Sequence, residues 1–300
     1  MTRGRGRPPD ETCGLVVVDK EPGCTSHDVV ARCRRLFGQR RVGHAGTLDP
    51  DATGVLLVGL GRATRLLRFL TPLGKSYEAE VVLGTATSTQ DASGQVVGRW
   101  DMAGVTLEDV QCAARRLTGL IEQVPPMVSA LSVGGRRLHE LARAGVEVER
   151  APRRVRVERF EIRPTDVPGV YGAEVDCSSG TYVRVLAADL GTALGGGAHL
   201  RRLRRTRVGS FALAEAHRLA QLTPACVLPP ADALRHLDPV AVDHDGVRRV
   251  SHGLALDRTV VGAQGDGPWA VVDGTGELLA VYRATGTDRL TPDCVLAAAG

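Results

Sequence analysis

Two carboxylates, Asp49 and Asp51, stand in a stretch of twelve residues that also holds Gly43, Gly46, Gly54 and Pro50. Glycine lets a backbone come close to a ligand, and a proline stiffens the residue before it. A carboxylate held in such a frame can act as a nucleophile. The same residues also make a plain turn, because Asp-Pro and Thr-Gly are common turn chemistry. Asp51 reads as a turn residue. The pair does not read as a glycosidase couple, since neighbours in one loop need not flank one bond. The sequence has no Cys-x-x-Cys pair, no Cys/His cluster at zinc spacing and no phosphate-binding P-loop.

The elements around this loop follow from hydrophobic spacing. Residues 14–19 read as a short buried strand. Ser26 can cap a helix whose apolar positions Val29, Val30, Cys33 and Phe37 recur at helical spacing and stop at Gly38. A polar, glycine-rich loop is expected over 39–54, then a strand over 55–60 and a helix over 63–70. Residues 75–83 alternate as a strand, with Tyr77, Ala79, Val81 and Leu83 on one face. Thr106 and Asp109 form a capping-box pattern for a helix to about 117. Residues 154–162 and 170–177 read as paired strands, and 181–194 as a helix ended by Gly195, Gly196 and Gly197. The segment 119–152 is rich in Gly, Pro and Arg, with a short helical piece near 138–144; it reads as a disordered insert or a working loop.

The 300 residues are 43% apolar and 24% charged, which is ordinary globular chemistry and excludes a wholly disordered chain. The best apolar run, Val55 to Val58, is cut at Gly59 and Gly61, far short of a membrane span. The N-terminus is charged without an apolar core behind it, so no secretory signal is read and a cytoplasmic address is expected. Seven cysteines are expected as reduced, mostly buried thiols. Net charge is +4, but residues 1–210 carry +8 and residues 211–300 carry −4. Lys20 and Lys75 are the only lysines, so the excess is arginine. Forked guanidinium donors suit phosphate or RNA. Arginine codon bias in a high-GC genome accounts for the same composition.

The motifs resemble one family in order. Gly43 to Pro50, followed by Ala52, Thr53 and Gly54, resembles the active-site motif of the TruB family, the tRNA pseudouridine-55 synthases. Asp19 and Lys20 with Gly23, Thr25 and Ser26 resemble its N-terminal motif, and Lys75 to Tyr77 its Lys-x-Tyr strand. Gln123 to Pro126, with Ser129, Ala130, Gly135, Arg136 and Glu140 to Arg143, resembles its RNA-gripping insertion. Ser179 to Arg184 with Asp189 to Gly191 resembles its second catalytic motif, and Gly197 to His199 with Leu203 to Gly209 the segment that closes the pocket. The likeness spans roughly residues 13–210. The family's usual proline after the Asp-Lys pair is replaced by Glu21-Pro22, and the insertion has Val128, Ser132 and His139 where an aromatic, Lys and Tyr are common.

The resemblance implies isomerisation of a tRNA T-loop uridine to pseudouridine at position 55, on a flipped-out nucleotide and without metal, redox or nucleotide cofactor. It implies Asp49 as nucleophile, attacking C1′ or assisting elimination at C2′. Arg184 is its implied charge partner, holding the carboxylate ionised through a forked pair. Tyr77 is expected against the target base, Tyr182 on its other side, and His44 as a wedge in the place of the extruded nucleotide. Leu203 is expected to close the pocket. Lys20 is expected to be structural or phosphate-facing within the substrate site. Arg136, Arg137 and Arg143 are the implied RNA grip.

The implied fold is α/β (α+β): a pseudouridine synthase fold with a mixed, largely antiparallel sheet, plus a small PUA-like β domain. The expected division is a basic tail over 1–11, a catalytic domain over 12–239 with the grip at about 123–152, and a C-terminal domain over 240–300. The expected partner is the tRNA T-arm, with no guide RNA and no membrane, and the expected state is a monomer. Two rivals stay open: a non-enzymatic RNA-binding or tRNA-folding protein with a spent site, and a guide-RNA-dependent synthase of the same superfamily.

Overall fold

Strand β1 (Gly14–Lys20) has an almost unbroken apolar run because both of its faces are covered. Val16 and Val18 point into one core, and Leu15 and Val17 into a second on the opposite face of the sheet. The computed structural model that shows this describes residues 12–127 and 148–296, with 132–133 and 136–137 described as strand backbone. The basic tail, Arg143, and the expected helical piece near 138–144 lie outside the described residues.

After β1 the chain forms α1 (Ser26–Leu36), β2 (Val42–Ala45), β3 (Thr53–Leu60), α2 (Leu67–Leu70), β4 (Lys75–Leu83), β5 (Thr85–Thr87) and β6 (Val96–Arg99). Then follow α3 (Leu107–Arg116), β7 (Gly119–Gln123), β8 (Ser132–Val133), β9 (Arg136–Arg137), β10 (Arg153–Pro164) and β11 (Val170–Cys177). The body ends with α4 (Val183–Ala193), β12 (Ala198–Val208), β13 (Phe211–Ala212) and β14 (His217–Arg218). The large sheet has the order β14-β1-β3-β12-β4-β11-β10-β7, with β2 on β3 and β13 on β12. β1 with β14 and β3 with β12 run parallel, and the other pairs of this sheet are antiparallel. The fold is thus mixed and largely antiparallel, as expected.

Helices α1, α3 and α4 cover one face, burying Val29, Val110 and Leu186 in a shared core. A second sheet covers part of the other face. It is built from β15 (Asp238–Ala241), β16 (Leu256–Asp257), β17 (Trp269–Val272), β18 (Leu278–Ala284) and β19 (Arg289–Val295), in the order β15-β17-β18-β19-β16. Ala270, Val281 and Cys294 pack with Leu57, Leu66 and Leu70 of the large body. Trp269 and Tyr282 build a core on the small sheet's far side.

Several elements differ from the sequence reading. Thr25, not Ser26, caps α1: its hydroxyl accepts from the Asp28 N–H while the Asp28 carboxylate takes the Thr25 N–H. Ser26 is buried one residue inside the helix. The expected loop over 39–54 contains β2 and the start of β3. The expected helix over 63–70 is a 3₁₀ turn (Gly61–Leu66) running into the single α-turn of α2. The expected helix over 181–194 starts at Val183, with Tyr182 at its N-cap. β12, in mid-sheet, was legible only as a pocket-closing segment, because its arginines break the apolar alternation. All seven cysteines are free thiols, but three are buried and four are partly exposed, against the expectation of mostly buried ones.

Candidate active site

The turn between β2 and β3 carries Asp49, and buried side chains hold its backbone at alternate carbonyls. Arg205 Nη2 donates to the Gly46 carbonyl at 3.0 Å. The Ser26 hydroxyl donates to the Leu48 carbonyl at 3.2 Å and accepts the Leu48 N–H at 2.9 Å. Lys20 Nζ donates to the Pro50 and Ala52 carbonyls at 2.8 and 2.7 Å, and to that of Glu21 at 3.0 Å. Asp49 itself closes the turn, its carbonyl accepting the Ala52 N–H at 3.1 Å. Five hydrogen bonds with three side chains therefore fix a seven-residue turn without using the Asp49 carboxylate.

That carboxylate meets a fork. Arg184 Nε lies 3.0 Å from Oδ2 and Nη2 donates to Oδ1 at 3.2 Å. Arg184 is buried on the first turn of α4, while the Asp49 side chain keeps 40% of its surface open. The far side of the guanidinium is also engaged. Its Nη1 donates to the Thr89 carbonyl at 3.1 Å and lies 3.7 Å from Asp91 Oδ2. Asp91 is held in turn by the Thr89 hydroxyl at 2.6 Å and the Ser93 N–H at 3.0 Å. Burial pushes the Asp49 carboxyl above the usual carboxylate range; Arg184 works against this and Asp91 adds to it.

A cleft of about 610 Å³ opens over this pair and is lined by His44, Asp49, Lys75, Tyr77, Thr181, Tyr182, Arg184, Leu203 and Arg205, among others. That volume suits a small ligand or one nucleotide. Tyr77 on β4 and Arg205 on β12 are register partners, and the positive charge of the guanidinium partly opposes the rise of the phenol pKa. Burial pushes the Tyr77 phenol up, so it stays protonated at neutral pH and can give or relay a proton. Arg205 Nε donates to the Val55 carbonyl at 2.7 Å. A Cβ on Gly54 would stand 2.1 Å from the Arg205 carbonyl, so only glycine lets β3 and β12 meet here. His44 stands edge-on to His27, with ring centroids 5.3 Å apart. Burial, with His27 and Arg205 nearby, pulls the His44 imidazole down to about 4. Lys75 Nζ donates to the Thr71 and Leu73 carbonyls, and burial pulls the ammonium down to about 8.

The structure thus brings Asp49, Arg184, Tyr77, His44, Tyr182 and Leu203 to one cleft. Lys20 differs. It is fully buried and its ammonium is bound to three carbonyls, so it holds the loop and presents no charge to a substrate phosphate. Asp51 does not line that cleft; it lines two adjoining grooves, one of which also touches Asp49 and Arg184. Arg136 and Arg137 lie on the β8–β9 hairpin, Arg136 opposite Val133. Ser26 and Arg205 fell within motifs read from sequence but were given no role at the site, and Thr89 and Asp91 fell within none. The available signal for Arg205 was its place two residues after Leu203, on the same strand face.

Known proteins share this sequence and this fold. Residues 34–183 match the model of the TruB family pseudouridylate synthase N-terminal domain. Residues 184–241 match that of the tRNA pseudouridylate synthase B C-terminal domain. The chain is 50% identical over 280 residues to a tRNA pseudouridine synthase B from Rhodococcus jostii, covering 91% of this chain and 90% of that protein. It is 47% identical over 279 residues to the protein of that name from Mycobacterium tuberculosis, covering 91% and 93%. Among solved structures it is similar to that of a Cbf5-Nop10-Gar1 complex, at 27% identity and a TM-score of 0.75, covering 96% of this chain and 86% of that one. The shared model, the half-identical relatives and the common sheet have one reading: the chain belongs to the TruB family of pseudouridylate synthases.

Proposed function

We propose that this protein is a stand-alone tRNA pseudouridine synthase that isomerises the T-loop uridine at position 55, with Asp49 as nucleophile on a flipped-out nucleotide. The observation that carries the reading is the Asp49–Arg184 fork on the floor of a nucleotide-sized cleft, with Tyr77 on its wall. In the reaction the C1′–N1 bond breaks, uracil turns, and a C1′–C5 bond forms. N1 ends with a proton and C5 loses one. Asp49 acts at the sugar, through C1′ or C2′, and Arg184 keeps it ionised and aimed. Tyr77 packs on the base, and its phenol serves the proton transfer at C5. His44, neutral above mildly acidic pH, offers an uncharged ring for the place the base leaves. Tyr182 and Leu203 enclose the nucleotide. Arg136, Arg137 and Arg143 grip the T-arm backbone, as sequence-independent contacts do.

The same reading makes the protein a cytoplasmic monomer whose partner is free tRNA, with residues 12–239 catalytic and residues 240–300 a PUA-like unit. A second reading, an enzyme that works inside an RNA–protein complex, has in its favour the likeness to an H/ACA RNP bound to a substrate RNA, at 25% identity and a TM-score of 0.73. The deciding experiment is conversion of an isolated T-arm stem-loop by purified protein, with pseudouridine read chemically. Turnover by the wild type and none by Asp49→Asn is the expected result. Turnover only after a second RNA or protein is added would favour the complex. Near-wild-type turnover by Asp49→Asn would overturn the mechanism.

A further inference from the structure

Arg62, Arg65 and Arg68 recur every third residue along the 3₁₀ turn and α2, and all three reach the end of the small sheet. Arg62 Nη1 donates to the Leu296 carbonyl at 2.8 Å, and Arg65 Nη1 to that of Val295 at 2.5 Å. Arg68 Nη2 donates to the Asp293 carbonyl and, at 2.7 Å, to its carboxylate Oδ1. Beneath them Ala63, Leu66 and Leu70 pack with Val281, Cys294 and Leu296.

The opposite side of α2 rests on the catalytic hairpin. Gly43 and Gly59 are cross-strand partners in β2 and β3. The two methyls of Leu67 straddle them: Cδ1 lies 3.1 Å from where a Gly43 Cβ would stand, and Cδ2 the same distance from that of Gly59. The tip of this hairpin is the turn that carries Asp49. Just past α2, the Thr71 and Leu73 carbonyls take the Lys75 ammonium, at 2.7 and 2.6 Å, and Thr71 and Lys75 line the cleft.

We propose that the C-terminal sheet braces the catalytic loop through α2, with Arg62, Arg65, Arg68 and Leu67 as positioning residues. Residues 211–300 carry a net charge of −4, which suits an intramolecular support better than a surface for phosphates. The three arginines are bound to carbonyls of their own chain. The choice of assay rests on the isomerase reading above.

The test uses the full chain and four variants: Arg65→Ala/Arg68→Ala, the matching pair of Lys substitutions, Leu67→Ala, and Asp293→Asn. Two readouts are needed. Hydrogen exchange of peptides covering 46–52 reads the order of the loop without substrate. It should be faster in the double Ala variant and in Leu67→Ala, and partly restored by Lys, which still donates to carbonyls. Single-turnover conversion of the T-arm stem-loop should fall between about tenfold and a hundredfold, as for a small misplacement of reacting groups. RNA affinity and its salt slope should stay within about twofold, because no phosphate contact is removed. A thermal melt checks that each variant is folded at the assay temperature, and Leu67→Ala reaches the same readouts with no change of charge. Unchanged exchange of the 46–52 peptides in folded variants would overturn the brace. So would a loss of affinity with a flattened salt slope at unchanged turnover, which assigns the arginines to RNA. Failure of the wild type to convert the RNA would overturn the isomerase reading alone, since the exchange experiment decides the brace separately.

Discussion

The Ser26 hydroxyl and the Leu48 peptide exchange two hydrogen bonds across 22 residues of sequence, at 2.9 and 3.2 Å. Both atoms are buried, and the peptide immediately precedes Asp49. Ser26→Ala leaves the Leu48 N–H and carbonyl unpaired in the core. The variant should lose about 1–3 kcal/mol of stability by urea unfolding, the desolvation penalty of an orphaned group. Its turnover should fall while its RNA affinity holds.

Arg184→Lys should lose far more turnover than affinity. An ammonium is a point charge and cannot bond both carboxylate oxygens of Asp49 while reaching the Thr89 carbonyl. Single-turnover rates against binding isotherms check this. Retention of most of the rate would break the assigned pairing.

Acid should silence the enzyme earlier than an ordinary aspartate would predict. Burial raises the Asp49 carboxyl, so the proposed nucleophile takes up its proton at a higher pH than a free carboxylate. The acid limb of the single-turnover rate should therefore lie above the usual carboxylate range, and should move up further when Arg184 is replaced by a neutral residue. A limb at or below the free value would contradict the buried setting.

Stability should carry a separate signature from His44. Its folded value, about 4, lies below the ordinary 6.5, so the unfolded chain binds the extra proton first. Stability is then level above about pH 6.5 and falls as pH drops toward 4. His44→Gln should flatten that slope in urea titrations run across the same window. An unchanged slope would place the titrating group elsewhere.

The proposed RNA grip predicts a salt effect. Replacing Arg136, Arg137 and Arg143 with Ala should weaken T-arm binding and lower the salt slope by roughly 0.7–0.9 per lost phosphate contact. An unchanged slope would mean that these arginines reflect composition alone.

The pairing of Asp49 with Arg184 was legible because each stands in its own recognisable motif. Arg205 was not, although it supports both the loop and Tyr77. Arg204 and Arg205 are adjacent and chemically alike, yet the first bonds Asp19 at a partly exposed position while the second is buried. Strand alternation separates them only once the register of β12 between β3 and β4 is known. Lys20 was read as structural or phosphate-facing, and its spacing alone could not choose: only the three carbonyls of a folded turn make its burial tolerable and give it the structural part. Thr89 and Asp91 belong to a connection between β5 and β6 whose sequence has no strong periodicity, so nothing placed them against Arg184.

The contacts that complete the cleft join distant parts of the chain. Arg184 and Asp49 are 135 residues apart, and Arg205 and the Val55 carbonyl 150. On a ribosome, the hairpin bearing Asp49 emerges long before α4 and β12 exist. Long-range pairing of this kind forms late, after the loop-closure entropy of the intervening chain has been overcome. A nascent chain halted before residue 184 therefore carries Asp49 but neither the guanidinium that pairs with it nor the one that seats its turn, and the cleft is completed only when the body is nearly complete.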